Sequence, residues 1–197
     1  MTHSPGPDAP RRANQGPRAA AGNRAALIAA ARESYAEQGL DVALSGIARR
    51  AGVGQGVLYR HFPDREALMT AVLEENVRDI EAAAAAEGAE FEQILGVVTW
   101  HITRSAAFTG VLRVEWADGR GAARAYVEGL GGRIGRALEG HLPPGHRLGR
   151  AQDLVLAVAM VSGAVTGATR EVRERRALAA WRLLGVEVGP VRPFAVA

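Results

Sequence analysis

The sequence predicts an all-α chain: a small N-terminal helix-turn-helix domain, then a larger helical domain. Three observations lead there. Apolar residues recur at i, i+3, i+4 and i+7 in one segment after another, the spacing of a buried helical face. No segment alternates apolar and polar residues over strand length, and no βαβ pattern is present. Glycine and proline bound the periodic stretches, at Gly39, at Gly52, at Pro63 and at the PPG run of residues 143–145. With 197 residues the chain has room for one medium helical domain plus a small one.

Residues 1–22 hold four prolines and almost no bulky apolar side chain, so they cannot bury enough surface to order themselves and read as a disordered basic tail. They contain no apolar signal-peptide core. Arg11, Arg12 and Arg18 give the tail its charge. From Ala25 to Gly39 the spacing predicts an amphipathic helix with Leu27, Ile28, Ala31 and Tyr35 on one side, closed by Gly39 as its C′ residue. A second helix has Leu44, Ile47, Ala48 and Ala51 on its buried face. Gly52 reverses the chain because it takes positive φ at no steric cost. Val53 then fills the crevice, Leu58 and Phe62 point inward four residues apart, and Gln55, Gly56, Tyr59, Arg60 and His61 are left outward. A helix-turn-helix sets such a second helix in the DNA major groove, with its first residues at base edges. Pro63 and Asp64 start the next helix, whose stripe is Leu68, Val72 and Leu73.

Beyond residue 76 the helical pattern continues. Phe91, Ile94, Leu95, Val98 and Ile102 share one face, and residues 105–117 form a shorter element. The segment ending at Leu142 is helical by period yet carries Gly129, Gly131, Gly132 and Gly135, so it bends or packs closely on a neighbour. After the PPG break come two long helices. Residues 154–169 are nearly uncharged, but at 16 residues they are short of the roughly 20 that a bilayer needs, so this helix is buried in protein. Gly163 and Gly167 form a G-x-x-x-G that lets two backbones approach.

Enzyme chemistry finds no support. The GVGQG of residues 52–56 lacks the preceding strand and the G-K-[ST] of a nucleotide loop. The five histidines show neither HExxH nor i, i+4 pairing, and His141 and His146 read as loop residues flanking the PPG turn. No nucleophile elbow is present. Without cysteine there are no disulfides or thiolate sites, which fits a cytoplasmic protein. The expectation is no catalytic residue, no metal and no cofactor. All 24 basic residues are arginine, and they are unevenly placed: residues 1–65 carry a net +4 and the remainder −1, so the N-terminal third suits phosphates.

The run from residue 24 to 75 resembles the DNA-binding domain of the tetracycline-repressor (TetR) family of bacterial transcription regulators. IARRAGV, GxLYRHF and (D)REAL occur in the right order without gaps. The resemblance implies a DNA-binding domain over residues 23–68 and an effector-binding and dimerisation domain over 69–197. It implies operator contacts from Ser45, Gln55, Gly56, Val57, Tyr59, Arg60, His61 and Arg65. Three departures remove hydroxyls that could cap a helix or reach a phosphate: Val42 and Ala43 before the second helix, Gly54 opening the recognition helix, and Val57 within it. Backbone amides, Ser45 and arginines must then carry more of the backbone contact, and Asp41 is left to cap. The resemblance further implies a small-molecule effector among Trp100, His101, Arg104, Phe108, Arg113, Trp116 and Tyr126, and a homodimer contact near Gly163, Gly167 and Trp181. The function so implied is a ligand-responsive repressor acting as a homodimer on a pseudo-palindromic double-stranded operator, away from any membrane. An activator, or an all-helical small-molecule carrier whose helix-turn-helix is incidental, stays open. Salt-sensitive binding to duplex DNA separates the carrier from the others.

Overall fold

A computed structural model describes residues 16–39, 41–104 and 122–195; these form eight helices and no strand. They are α1 (Pro17–Gln38), α2 (Leu44–Arg50), α3 (Gln55–His61), α4 (Arg65–Ala85), α5 (Phe91–Arg104), α6 (Ala122–Glu139), α7 (Ala151–Ala164) and α8 (Arg170–Leu183). No described helix is long and apolar enough to cross a membrane.

The first hydrophobic cluster joins Leu27, Ile28, Ala31 and Tyr35 of α1 to Ile47, Ala48, Leu58 and Phe62, and to Leu68 and Val72 of α4. These are the faces that the spacing predicts. The turn residues also behave as expected: Gly39 has φ +79° and Gly52 φ +69°. One boundary differs. Helix α1 begins at Pro17, so the expected tail boundary at residue 22 falls inside it. Proline at the first helical position has no N–H to waste and a φ already helical, and the following Arg and Ala are strong helix formers.

The second cluster centres on α5. From Ile94 to Thr103 every residue of this helix is buried, so its surface is covered all round rather than along one stripe. Helix α4 packs on α5 and α6, α6 on α7, and α8 on both α7 and α5. Trp181 of α8 is 1% exposed; its indole N–H donates to Thr99 Oγ1 at 2.9 Å, and that hydroxyl donates to the Leu95 carbonyl at 2.8 Å. The chain after α8 returns across α5. The Gly189 amide donates to the Glu92 carbonyl at 2.8 Å, and a Cβ on Gly96 would lie 2.5 Å from the Pro190 carbonyl oxygen.

Two expectations for the C-terminal helices are corrected. The apolar stretch 154–169 is not one buried helix. Helix α7 ends at Ala164, and its outer face leaves Leu156 60% and Met160 54% exposed. Gly163 and Gly167 therefore do not share a helical face, because Gly167 lies in the connection to α8 at φ +133°. Nor does Trp181 lie on an outer face: it is a core residue of its own chain. The glycine-rich helix α6 does pack closely on a neighbour, at Gly135, where a Cβ would meet the Ala151 carbonyl oxygen and Val155 at 2.8 Å.

These approaches predict opposite outcomes for two glycines. Gly96→Ala should destabilise by about 1–3 kcal/mol, since its methyl must displace the backbone at Pro190. Gly129→Ala, with nothing within 4 Å of the added Cβ in α6, should stabilise by roughly 0.5–1 kcal/mol. Denaturant titration of both variants checks this.

Candidate nucleic-acid interface and cavity

Helix α3 stands on the first cluster through Leu58, 1% exposed, while Gln55, Gly56, Tyr59 and Arg60 face solvent. Tyr59 is 52% exposed. Neither α2 nor α3 has a side-chain cap; their N-caps are Ala43 and Gly54, and Asp41 does not fill the role. By contrast Asp64 caps α4 by accepting from the Ala67 amide at 2.8 Å. The first amides of α2 and α3 thus meet no capping side chain, and backbone N–H groups at helix starts are what phosphate oxygens accept from.

The remaining expected contact residues fall into two groups. Ser45 is exposed on the first turn of α2, beside the exposed Arg49. Val57 and His61 are half-buried, and Val57 offers no hydroxyl. Arg65 is half-buried at the start of α4, where its guanidinium sits beside the Tyr35 hydroxyl; burial pushes the Tyr35 phenol up and Arg65 opposes that shift. Arg60 is exposed, with Nε donating to the Gly56 carbonyl at 3.2 Å. Arg50 is structural. It donates to Ser34 Oγ at 3.2 Å and to both Glu37 carboxylate oxygens at 2.9 and 2.8 Å, tying α2 to α1.

A cavity of about 740 Å³ opens between α4, α5, α6 and α7. Its wall is mostly aliphatic, including Ile80, Val98, Ile102, Ile134, Val155 and Val158. Of the described residues expected at an effector site, it takes in His101 alone. Trp100 turns instead toward α1, with the guanidinium of Arg104 5.0 Å and that of Arg32 6.0 Å from its ring centroid. Tyr126 donates toward Glu74 Oε2 and the Thr70 carbonyl, both at 3.4 Å. Phe108, Arg113 and Trp116 lie outside the described residues. Asn76, buried at 6% and also in the wall, was missed. Its signal was available: a polar residue in the apolar row Leu73, Val77, Ile80 of α4.

His101 is 4% exposed and T-shaped against Trp100. Burial, then Arg32 and Arg104, push its pKa down to about 3. Arg133 of α6 grips α4. It donates to Glu81 Oε1 and Oε2 at 2.7 and 2.6 Å and to Glu74 Oε1 at 2.7 Å. The fork raises the Arg133 pKa and lowers that of Glu81. Asp79, between these two glutamates on α4, lies 3.5 Å from Arg32 of α1.

The family model for bacterial regulatory proteins of the tetR family matches residues 27–72, which spans α2, α3 and their packing against α1 and α4. The chain is similar to the TetR transcription regulatory protein from Mycobacterium vanbaalenii, with 31% identity and a TM-score of 0.50 over 87% of this chain and 98% of that one. It is also similar to a TetR transcriptional regulator from Streptomyces coelicolor, with 26% identity and a TM-score of 0.55 over 87% and 99%. GusR of Salmonella enterica shares the fold, at 20% identity and a TM-score of 0.51 over 83% of this chain and 95% of that one. No curated protein matches in a sequence search.

The neutral buried His101 has a stability signature. Its folded pKa lies below the ordinary 6.5, so the unfolded chain takes up a proton first as pH falls. The stability tied to the neutral ring is present above about pH 6.5 and lost toward pH 3, at up to about 1.4 kcal/mol per pH unit. His101→Gln should show a shallower loss across that window in denaturant titrations at stepped pH.

Proposed function

The chain belongs to the TetR family of bacterial regulatory proteins, and on that premise we propose that it is a ligand-responsive repressor acting as a homodimer on a pseudo-palindromic operator. The observation that carries the DNA half of this reading is the outer face of α3, where Gln55, Gly56, Tyr59 and Arg60 are exposed on a helix seated by Leu58. Gln55 is the base reader: its amide pairs with adenine N6 and N7. The uncapped amides of α2 and α3, with Ser45 and Arg60, take the phosphates. The exposed apolar face of α7 supports the homodimer. Leu156 and Met160 on one protomer need a partner to leave water, and a second copy would set two recognition helices about one DNA turn (~34–36 Å) apart.

The cavity supports the ligand response. Helix α4 lines it through Leu73, Asn76, Val77 and Ile80, and the same helix carries Leu68 and Val72 into the cluster beneath α3. A ligand that favours one setting of α4 and an operator that favours another must weaken each other by the same factor. Asp79, touching both Arg32 of α1 and His101, gives a polar contact at the joint between the two clusters.

Selecting bound fragments of the source genome and sequencing them tests the whole reading, because it returns the operator, its symmetry and the half-site spacing together. Gln55→Ala should relax base preference at one position per half-site at a cost of roughly 1–3 kcal/mol. Arg60→Ala should instead weaken all sequences alike and reduce the salt slope by about 1. An unchanged motif in Gln55→Ala overturns the base-reading role.

Assembly has its own check. The double variant Leu156→Glu, Met160→Glu changes exposed residues only, so it should fold, sediment as a monomer and lose tight operator binding. Gly167 is no substitute, because a side chain there meets both φ +133° and Val172 Cγ1 at 2.6 Å within the chain. A double variant that stays dimeric and binds normally would move the interface elsewhere.

A further inference from the structure

We propose that Arg133 of α6 is a positioning residue for operator recognition: its fork onto Glu74 and Glu81 holds α4, and through α4 the recognition helix, in the setting that the operator takes. This rests on the operator reading above and adds to it a residue outside the first cluster. The central observation is where the fork lands. Leu73 is the last α4 side chain packed on the first cluster, and Ile80 is the first that belongs to the second. Between them Asn76 and Val77 line the cavity and belong to neither cluster. Glu74 and Glu81 bracket that stretch, about two turns apart and so on one face of the helix. Arg133 Nε and Nη2 close on the two oxygens of Glu81 at 2.7 and 2.6 Å, while Nη1 reaches Glu74 Oε1 at 2.7 Å. A planar guanidinium meeting two carboxylates at once fixes angle as well as distance.

Other arginines hold α4 differently. Arg24 and Arg32 of α1 approach Glu75 and Asp79 at 3.8 and 3.5 Å, and α1 belongs to the same cluster as the recognition helix. They tie α4 to its own neighbours. Arg133 ties it to a helix whose Leu138 lies in the second cluster, so this contact sets one cluster against the other. The backbone of α6 is a weak spacer for that purpose, because Gly129, Gly131, Gly132 and Gly135 surround Arg133 and interior glycines lower helix stability. Without the fork, α4 takes a wider range of settings, and apparent operator affinity falls by the fraction still competent to bind.

Binding of the full-length chain to a duplex recovered by the genomic selection, and to a shuffled duplex of the same length, tests this. Arg133→Met keeps the length and apolar stem of the side chain and deletes the fork. It should weaken the selected duplex about tenfold and the shuffled one by less than about twofold, since attraction to phosphate needs no fixed register. Glu81→Gln should act in the same direction, and the double variant should lose no more than Arg133→Met alone, because both remove one contact. Gly96→Ala, destabilised at the C-terminal segment instead, should bind normally, which separates positioning from loss of stability. Affinity that is unchanged or tighter in Arg133→Met, or lost equally in Gly96→Ala, overturns the proposal. Should Arg133→Met not fold, Glu81→Gln decides, and unchanged affinity there overturns it. Spin-label distances read the same contact without DNA. The chain has no cysteine, so Glu66→Cys at the exposed start of α4 and Gln93→Cys on the exposed side of α5 can be labelled alone, diluted with unlabelled chain. Arg133→Met should widen their distance distribution, and an unchanged width overturns the proposal. If no fragment is selected, the operator reading falls, and the distance measurement alone decides whether the fork sets α4.

Discussion

Arg133 forked between Glu74 and Glu81 is the contact on which the working geometry turns, because it fixes the one helix that belongs to both hydrophobic clusters. The first half of α4 contributes Leu68 and Val72 to the cluster under α2 and α3; its second half contributes Ile80 and Ala83 to the cluster around α5. One helix thus has an end in each core. Exposed single ion pairs contribute little, but a guanidinium closing on two carboxylates of the same helix also fixes rotation and register. The cavity opens between α4 and α6, the two helices that this fork joins.

The larger domain is arranged around a helix with no free face. Because α5 is buried all round, its polar groups need internal partners, and the Trp181–Thr99–Leu95 chain of hydrogen bonds supplies them on one side. The returning C-terminal segment covers another side, where Gly96 and Gly189 allow backbone to meet backbone. His101 is the polar member of α5 left without such an arrangement among the described residues, and it is the one that borders the cavity. Thr99 and His101, two residues apart on the same buried helix, thus differ in how their polar atoms are met: the Thr99 hydroxyl is paired on both sides, the His101 ring packs edge-on against Trp100.

At the opposite end, stability and recognition are divided between different arginines. Arg50 is spent on Ser34 and Glu37, locking α2 to α1, and Arg24 lies over the Phe62 ring and within 3.8 Å of Glu75. Arg60 and Arg49 stay in solvent. Part of the net charge of the N-terminal third is offset by acids beyond residue 65, Glu75 beside Arg24 and Asp79 beside Arg32.

The sequence by itself determined the all-α class, the helix-turn-helix, the turns at Gly39 and Gly52 and the Asp64 cap, because each depends on spacing or backbone freedom within a few residues. It also placed Gln55, Tyr59 and Arg60 on the outer face, since inward Leu58 and Phe62 leave them nowhere else. Tertiary structure decided the rest. Trp100 and Arg104 share a helix with His101, but only the packing of α1 against α5 turns them away from the cavity. The 154–169 stretch has the composition of a buried helix, yet the helix stops at Ala164, Gly167 at φ +133° lies in the connection beyond it, and α7 keeps an open side. A cavity wall gathers residues from four helices far apart in the chain, and no local pattern records which faces will meet. Long-range packing alone brought His101 of α5 and Asn76 of α4 to the wall of one cavity.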